Sequence, residues 1–224
     1  MMRSAMSMIE LVFAIVIMGI AVMSLPLILT QVQSNNAFAM QQEAILAAKA
    51  KIGDILTYEW DENSYDATAQ RAYVLDTASD AELSRVAGTT LRVGHVNAEN
   101  RRKFFDVATN PTTAGTLGND GNLNDIDDFS GQATTIAATL ENAGVGLDYV
   151  FTLTLTPTIT YAADSANYTV NPLGVFALNP DNNATITNIK TISVQVTGGD
   201  QNITLRAFTC NIGESTLLPS RPYQ

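Results

Sequence analysis

The residues best suited to chemistry in this 224-residue chain lie in one acidic stretch, GNDGNLNDIDDFSG, at positions 118–131. Oxygen-bearing side chains at alternate positions begin many calcium-binding loops, and crowded carboxylates repel one another unless a cation joins them. The stretch is not an EF-hand, because Asp125 stands where that loop needs glycine and Gly131 where it needs a bidentate glutamate. The candidate calcium ligands are Asp120, Asn122, Asn124, Asp125, Asp127 and Asp128. Two interpretations stay open, a calcium loop and a hydrated turn.

Other reactive residue types are too few to form a familiar catalytic or metal site. The chain has one cysteine, Cys210, and one histidine, His95, so neither an intramolecular disulfide nor a Cys/His metal cluster can form within it. Cys210 lies in a strand-like stretch and is expected to be a small buried hydrophobe. His95 has no serine or cysteine partner that the sequence places nearby, and is expected to be structural. We therefore expect that the chain is not an enzyme and requires no cofactor.

The charge balance disfavours nucleic acid as a partner. The chain has 12 Lys and Arg residues against 22 Asp and Glu residues, a net charge of −10. Phosphate recognition needs a basic stripe, and the one basic run, Arg101 to Lys103, is expected to be a solvated turn or strand end. The length beyond an N-terminal apolar segment predicts one domain of roughly 150 to 170 residues.

The N-terminal apolar segment is long enough to cross a membrane. No charged residue occurs from Leu11 to Thr30, and about 20 apolar residues in a helix span the hydrocarbon layer. Arg3 precedes this run and the remainder is acidic, which predicts a cytoplasmic N-terminus. A removable secretory signal is the alternative, but the sequence after Met23 offers no convincing small-x-small cleavage site.

Helical periodicity continues beyond the apolar run to about Trp60, where DENSYD supplies turn residues. This part is rich in Ala, Gln, Leu and Lys, which favour helix. One helical face is predicted to carry Phe38, Ile45, Ala48, Ile52, Ile55 and Leu56. The segment is therefore predicted to be the amphipathic continuation of the membrane helix, packed on a globular body.

The later chain is predicted to form antiparallel strands. Ile192, Val194 and Val196 alternate with polar residues. Apolar and polar residues also alternate within the stretch NITLRAF. The connector GGDQ between these two stretches predicts a hairpin. A long helix followed by such strands predicts an α+β fold, with the helix packed on an antiparallel β-sheet.

The segment AMSMIELVFAIVIMGIAVMSLP, residues 5–26, resembles the processing and assembly segment of type IV pilin-like proteins, which include pilins and type II secretion pseudopilins. The family has a short basic leader, a small residue at the cut, and a glutamate ahead of an apolar helix. Here Ala5 stands where the family usually has glycine, and Met6 where it usually has phenylalanine. The resemblance covers about the first 55 residues.

The resemblance implies a division of the chain into four parts. Residues 1–5 would be the leader, 6–30 the transmembrane and assembly helix, 31–60 its amphipathic continuation, and 61–224 the periplasmic or extracellular domain. Prepilin peptidase would cut after Ala5, and Met6 would be N-methylated. Glu10 would meet the new α-amino group of Met6 on a neighbouring subunit, as an assembly residue.

The implied partners are prepilin peptidase, other pilin or pseudopilin subunits, an inner-membrane assembly platform and membrane lipid. The implied location is the inner membrane, as a single-pass protein, and then a periplasmic or cell-surface filament. Size and an elaborate β region favour a minor subunit. Two rivals stay open, a membrane-anchored binding module such as an adhesin or sensor ectodomain, and a secreted calcium-dependent enzyme cut beyond Met23.

Overall fold

A computed structural model describes most of the chain, in seven stretches: residues 8–93, 102–118, 120–138, 151–164, 166–169, 177–180 and 185–215. Contacts divide the chain into two units, Met1–Ala44 and Ile45–Gln224. Helix α1 (Met8–Ile55) begins in the first unit and ends in the second.

The first part of α1, residues 8–32, carries apolar side chains on every side. Its large apolar side chains are exposed from Met8, at 86%, to Val32, at 49%. Pro26 lies inside the helix, and its carbonyl accepts a hydrogen bond from Thr30 Oγ1 at 2.8 Å. The helix is long and apolar enough to cross a membrane, with a mean hydropathy of 2.7 over 18 residues, a test that a signal sequence also passes.

The last turns of α1 belong to the second unit and bury one face. Ala47, Ala48, Ile52 and Ile55 are buried there, as expected for a helix with one apolar stripe. The helix ends at Ile55, not at about Trp60 as the periodicity predicted. The chain tightens into 3₁₀ turns, because the amides of residues 57 and 58 bond carbonyls three residues back.

Antiparallel strands follow the helix and confirm the predicted α+β fold. A small hairpin pairs β1 (Tyr65–Asp66) with β2 (Arg71–Ala72). A five-stranded sheet has the order β3-β4-β6-β7, with β5 paired to β4. Its strands are β3 (Thr134–Ala138), β4 (Phe151–Asp164), β5 (Leu178–Asn179), β6 (Ile189–Gly198) and β7 (Gln201–Cys210).

The predicted hairpin is formed by β6 and β7. Its two turn residues, Gly199 and Asp200, both have positive φ, 53° and 64°, as a type I′ turn requires. The preceding Gly198 has φ 137°, and a Cβ there would lie 2.1 Å from the carbonyl oxygen of Thr152. Glycine is therefore required at Gly198 by both backbone conformation and space.

The sheet buries one face of its two central strands. Residues two apart on a strand point to the same side, so one apolar face emerges from β4 and β6. The almost fully buried residues of these strands are Leu153, Leu155, Ile159, Tyr161, Ile192, Val194 and Val196. Lys190 is two residues before Ile192 on β6, so its charged side chain lies on the same buried face of the sheet.

Candidate functional site

The residues assigned to processing and assembly are placed only in part. Ala5 and Met6 lie outside the described residues, and so does His95. Glu10 lies in the first turn of α1 and is exposed. Cys210 is the last residue of β7 and is half-buried, more exposed than the sequence predicted.

Lys190 is the charged side chain most deeply buried in the sheet face. It is fully buried, and its ammonium donates to the carbonyl oxygen of Trp60 at 2.8 Å, to Asp61 Oδ2 at 3.0 Å and to Asp127 Oδ1. The ammonium also lies 4.5 Å from the ring centroid of Trp60 and 5.6 Å from that of Tyr161. All three N–H donors thus have partners inside an aromatic pocket.

Asp61 reaches Lys190 from the turn that follows α1. It caps the 3₁₀ turn Glu62–Ser64, and its Oδ1 accepts from the backbone and side-chain nitrogens of Asn63 at 3.1 and 3.0 Å. Its Oδ2 accepts from the backbone of Thr112 at 2.9 Å as well as from Lys190. These donors fix the orientation of the carboxylate although Asp61 is fully buried.

Asp125 and Asp127 come from the acidic stretch, which is bonded to the same turn. The backbone N–H of Ile126 donates to the carbonyl oxygen of Glu59 at 2.9 Å, and that of Glu62 donates to Asp125 Oδ2 at 2.8 Å. Asp125 Oδ1 accepts from the backbone of Asp127 at 2.9 Å. These bonds hold both carboxyl groups on the buried side of the turn.

We call Lys190, Asp61, Asp125 and Asp127 the Lys190 cluster. One carboxylate oxygen from each aspartate lies within 4.8 Å of the others. Burial raises the pKa of Asp125 to about 9, aided by a hydrogen bond with Glu62 and by the charge of Asp127. Burial also raises the pKa of Asp127, which Lys190 opposes. Burial thus favours the protonated form of Asp125 and opposes full ionisation of the three carboxyl groups in the cluster.

The predicted calcium ligands divide into an exposed and a buried group. The exposed ones are Asp120, Asn122 and Asn124, and the buried ones are Asp125, Asp127 and Asp128. Asp128 Oδ2 accepts from the backbone of Asn124 at 2.9 Å and of Asp125 at 3.1 Å, while Asp120 Oδ1 accepts from Asn122 at 3.1 Å. These carboxylates thus organise the backbone of their own loop, and the calcium site stays a prediction.

Two members of the cluster, Asp61 and Lys190, were not predicted from the sequence. Asp61 is 129 positions from Lys190 and 64 from Asp125, and no local pattern joins such distant residues. The position of Lys190 could have been predicted, because Lys190 is two residues before Ile192 and four before Val194, and so lies on the same face of the strand. A lysine on the buried face of a strand indicates a buried acidic partner.

A cavity of about 780 Å³ lies beside the start of β6. Its wall includes Asp76, Asp80 and Asn188, and Asp80 Oδ2 accepts from Asn188 Nδ2 at 2.9 Å. The cavity offers polar groups to solvent, whereas the Lys190 cluster is closed to it. The chemistry open to the cluster is therefore confined to its own side chains.

Comparisons with protein-family models, with curated proteins and with solved structures found no match to this chain.

Proposed function

We propose that this chain is a structural subunit, of the minor class, of a type IV pilus or type II secretion pseudopilus. The observation that carries the proposal is α1, whose first 25 described residues expose apolar side chains on every side while Glu10 lies in its first turn. A helix that is apolar all round is stable only when lipid or other helices cover it.

Glu10 fits the assembly step of this proposal. A carboxylate near the end of a membrane helix is costly without a positive partner. The α-amino group that cleavage after Ala5 would create on Met6 is largely cationic at neutral pH. Pairing of Glu10 with this amine on a neighbour would set the axial register of one subunit against the next.

The proposed life cycle has two stages. The chain first resides in the inner membrane with its N-terminus in the cytoplasm, where prepilin peptidase and an assembly platform act on it. It then leaves the lipid, with α1 packed against other pilin or pseudopilin helices and the acidic domain facing outward. The chain performs no reaction on a substrate in this proposal.

The first experiment is to measure the N-terminus of the membrane-bound protein by intact and peptide mass spectrometry, with and without prepilin peptidase. A chain that begins at N-methylated Met6 only when the peptidase is present supports the proposal. An uncut start at Met1, or a start beyond Met23, contradicts it.

The assembly role is tested by Glu10→Gln, with Glu43→Gln as the matched control on the same helix. The proposal expects Glu10→Gln to be processed and to reach the membrane, yet to be lost from sheared filaments. Glu43→Gln should be incorporated as the wild type is. Equal incorporation of both variants contradicts the role of Glu10.

A membrane-anchored binding module is the second candidate, and the polar cavity beside β6 favours it. In that case the chain keeps Met1 and never leaves the bilayer. The same N-terminal measurement separates the two candidates.

A further inference from the structure

Lys190 and Asp127 are placed as the two partners of an amide bond. The ammonium of Lys190 donates directly to Asp127 Oδ1, and both side chains are almost completely buried, with 0% and 2% exposure. Lys190 is on the central strand β6 and Asp127 begins the 3₁₀ turn Asp127–Phe129, so both partners are fixed by elements of the fold. Holding an amine and a carboxyl group in contact removes most of the entropic barrier to their reaction.

The surroundings exclude water from the pair that must react. The rings of Trp60 and Tyr161 lie beside the Lys190 nitrogen, which is fully buried. Amide formation from this pair requires transfer of a proton from the ammonium to the carboxylate, which gives a neutral amine and a neutral acid. The product amide is also uncharged and suits the same pocket.

The other two aspartates are placed to move the protons. Asp61 Oδ2 lies 3.0 Å from the Lys190 nitrogen, within reach of a proton on that nitrogen. One side-chain oxygen of Asp125 lies within 4.8 Å of one of Asp127, so a second carboxyl group stands beside the carboxyl group under attack. The cluster therefore holds a nucleophile, an electrophile, a base and an acid together.

We propose that Lys190 and Asp127 are joined by an intramolecular amide bond in the mature protein. The lone pair of the Lys190 nitrogen attacks Cγ of Asp127, and a C–N bond forms. Asp61 takes a proton from the nitrogen, Asp125 gives one to the departing oxygen, and the C–O bond breaks to release one water. Proton return from Asp61 to Asp125 restores both groups, and no oxidant or reductant is needed.

The cross-link joins two points 63 positions apart and so closes about a third of the second unit, residues 127–190, into a covalent loop. It is independent of the proposed pilin function, because it requires only the folded second unit. The bond also accounts for the position of a lysine on the apolar face of β6, since a neutral amide there carries no charge to bury.

Trypsin mapping of the purified full-length chain tests the bond directly. No Lys or Arg occurs between Lys103 and Lys190, so an unmodified chain yields the peptide 104–190. With the amide in place trypsin cannot cut after Lys190, and the peptide runs from Phe104 to Arg206 with the mass of one water missing. Chymotrypsin then opens the loop into a branched pair that includes Asp127 and Lys190.

The two maps also exclude other sources of the same mass loss. Dehydration at the Asp120–Gly121 step would remove one water but leave cleavage after Lys190 intact. A peptide that ends at an unmodified Lys190 overturns the proposal and leaves a buried ion pair. A branch that carries Asp61 in place of Asp127 overturns the assignment of the acyl partner.

Three variants assign the roles. Lys190→Arg keeps the charge but cannot form the amide, and its mass should show no water loss. Asp61→Asn should leave a large fraction uncross-linked, whereas Asp106→Asn, at an exposed position outside the cluster, should cross-link as the wild type does. Complete cross-linking of Asp61→Asn overturns the role given to Asp61, and the wild-type map decides the bond even if a variant does not fold.

Discussion

The first unit of this chain exposes apolar side chains, whereas the second unit buries charged side chains. In the first unit α1 exposes residues such as Phe13 and Ile17, at 60% and 65%. In the second unit Lys190 and Asp61 are fully buried while apolar residues form the core around them. Exposed apolar surface is unfavourable in water, so the first unit suits an apolar environment, whereas the second unit must balance its buried charges internally.

The largest effect is expected from removing the buried cation. Lys190→Met leaves Asp61 and Asp127 buried without their positive partner, and we expect a loss of about 3–5 kcal/mol in unfolding free energy. In a cross-linked chain the same variant loses the amide bond in place of the ammonium. Denaturant unfolding measures it, with Lys49→Met on the exposed face of α1 as the control. Equal stability of the two variants would show that the second unit does not depend on its buried charges.

The comparison can be sharpened with one chemical change made in both units. Ile192→Ala removes a fully buried side chain from β6 and should cost about 2–5 kcal/mol. Ile17→Ala removes the same atoms from the exposed part of α1 and should change the melting of the second unit by less than about 0.5 kcal/mol. Thermal melts of the full chain in detergent measure both. A comparable loss in both variants would contradict the separation of the units.

The pH dependence of stability should follow Asp125. Its pKa in the folded chain is raised from 3.8 to about 9, so its stabilising contribution is complete below pH 3.8 and is lost as the pH rises through 9. While the folded state binds the extra proton, the slope is at most about 1.4 kcal/mol per pH unit. Asp125→Asn cannot ionise, and its profile should be flatter from pH 5 to 9. Asp54→Asn, at an exposed position, should retain the wild-type slope.

Calcium should have the smallest effect of the four. Lys190 and backbone N–H groups already engage the buried oxygens of Asp125, Asp127 and Asp128. We therefore expect calcium to raise the melting temperature slightly, through the exposed residues of the stretch, and a chelator to reverse this. A shift as large as that of Lys190→Met would instead make calcium an integral part of the fold.

Local patterns predicted the parts of the fold that local forces determine. The apolar run predicted α1, and GGDQ predicted the β6–β7 hairpin, because hydrophobic length and turn conformation are encoded within a few residues. The end of α1 was predicted too late, since Thr57 bonds Asp54 and tightens the last turn. Strand β3 was not predicted, because its residues 134–137 are exposed and only pairing with β4 defines the strand.

The candidate site was predicted only where its members are neighbours in sequence. Asp125 and Asp127 were recognised as crowded carboxylates, and the two interpretations considered were a calcium loop and a hydrated turn. The structure supplies Lys190 from a strand 63 positions away. Such pairing depends on the topology of the sheet, which residue spacing does not contain. The one local indication was that Lys190 falls on the same face of its strand as Ile192 and Val194.

The ion pair between Asp61 and Lys190 determines which strand of the sheet receives a force applied along α1. Asp61 lies six residues beyond the end of α1, and Lys190 lies on β6, which is flanked by β4 and β7. A pull along α1 therefore reaches an inner strand of the sheet through Asp61, ahead of the intervening loops. A force applied at the helix is shared between β6 and the two strands that are hydrogen-bonded to it. The second unit therefore resists the separation of its strands one at a time from an edge of the sheet.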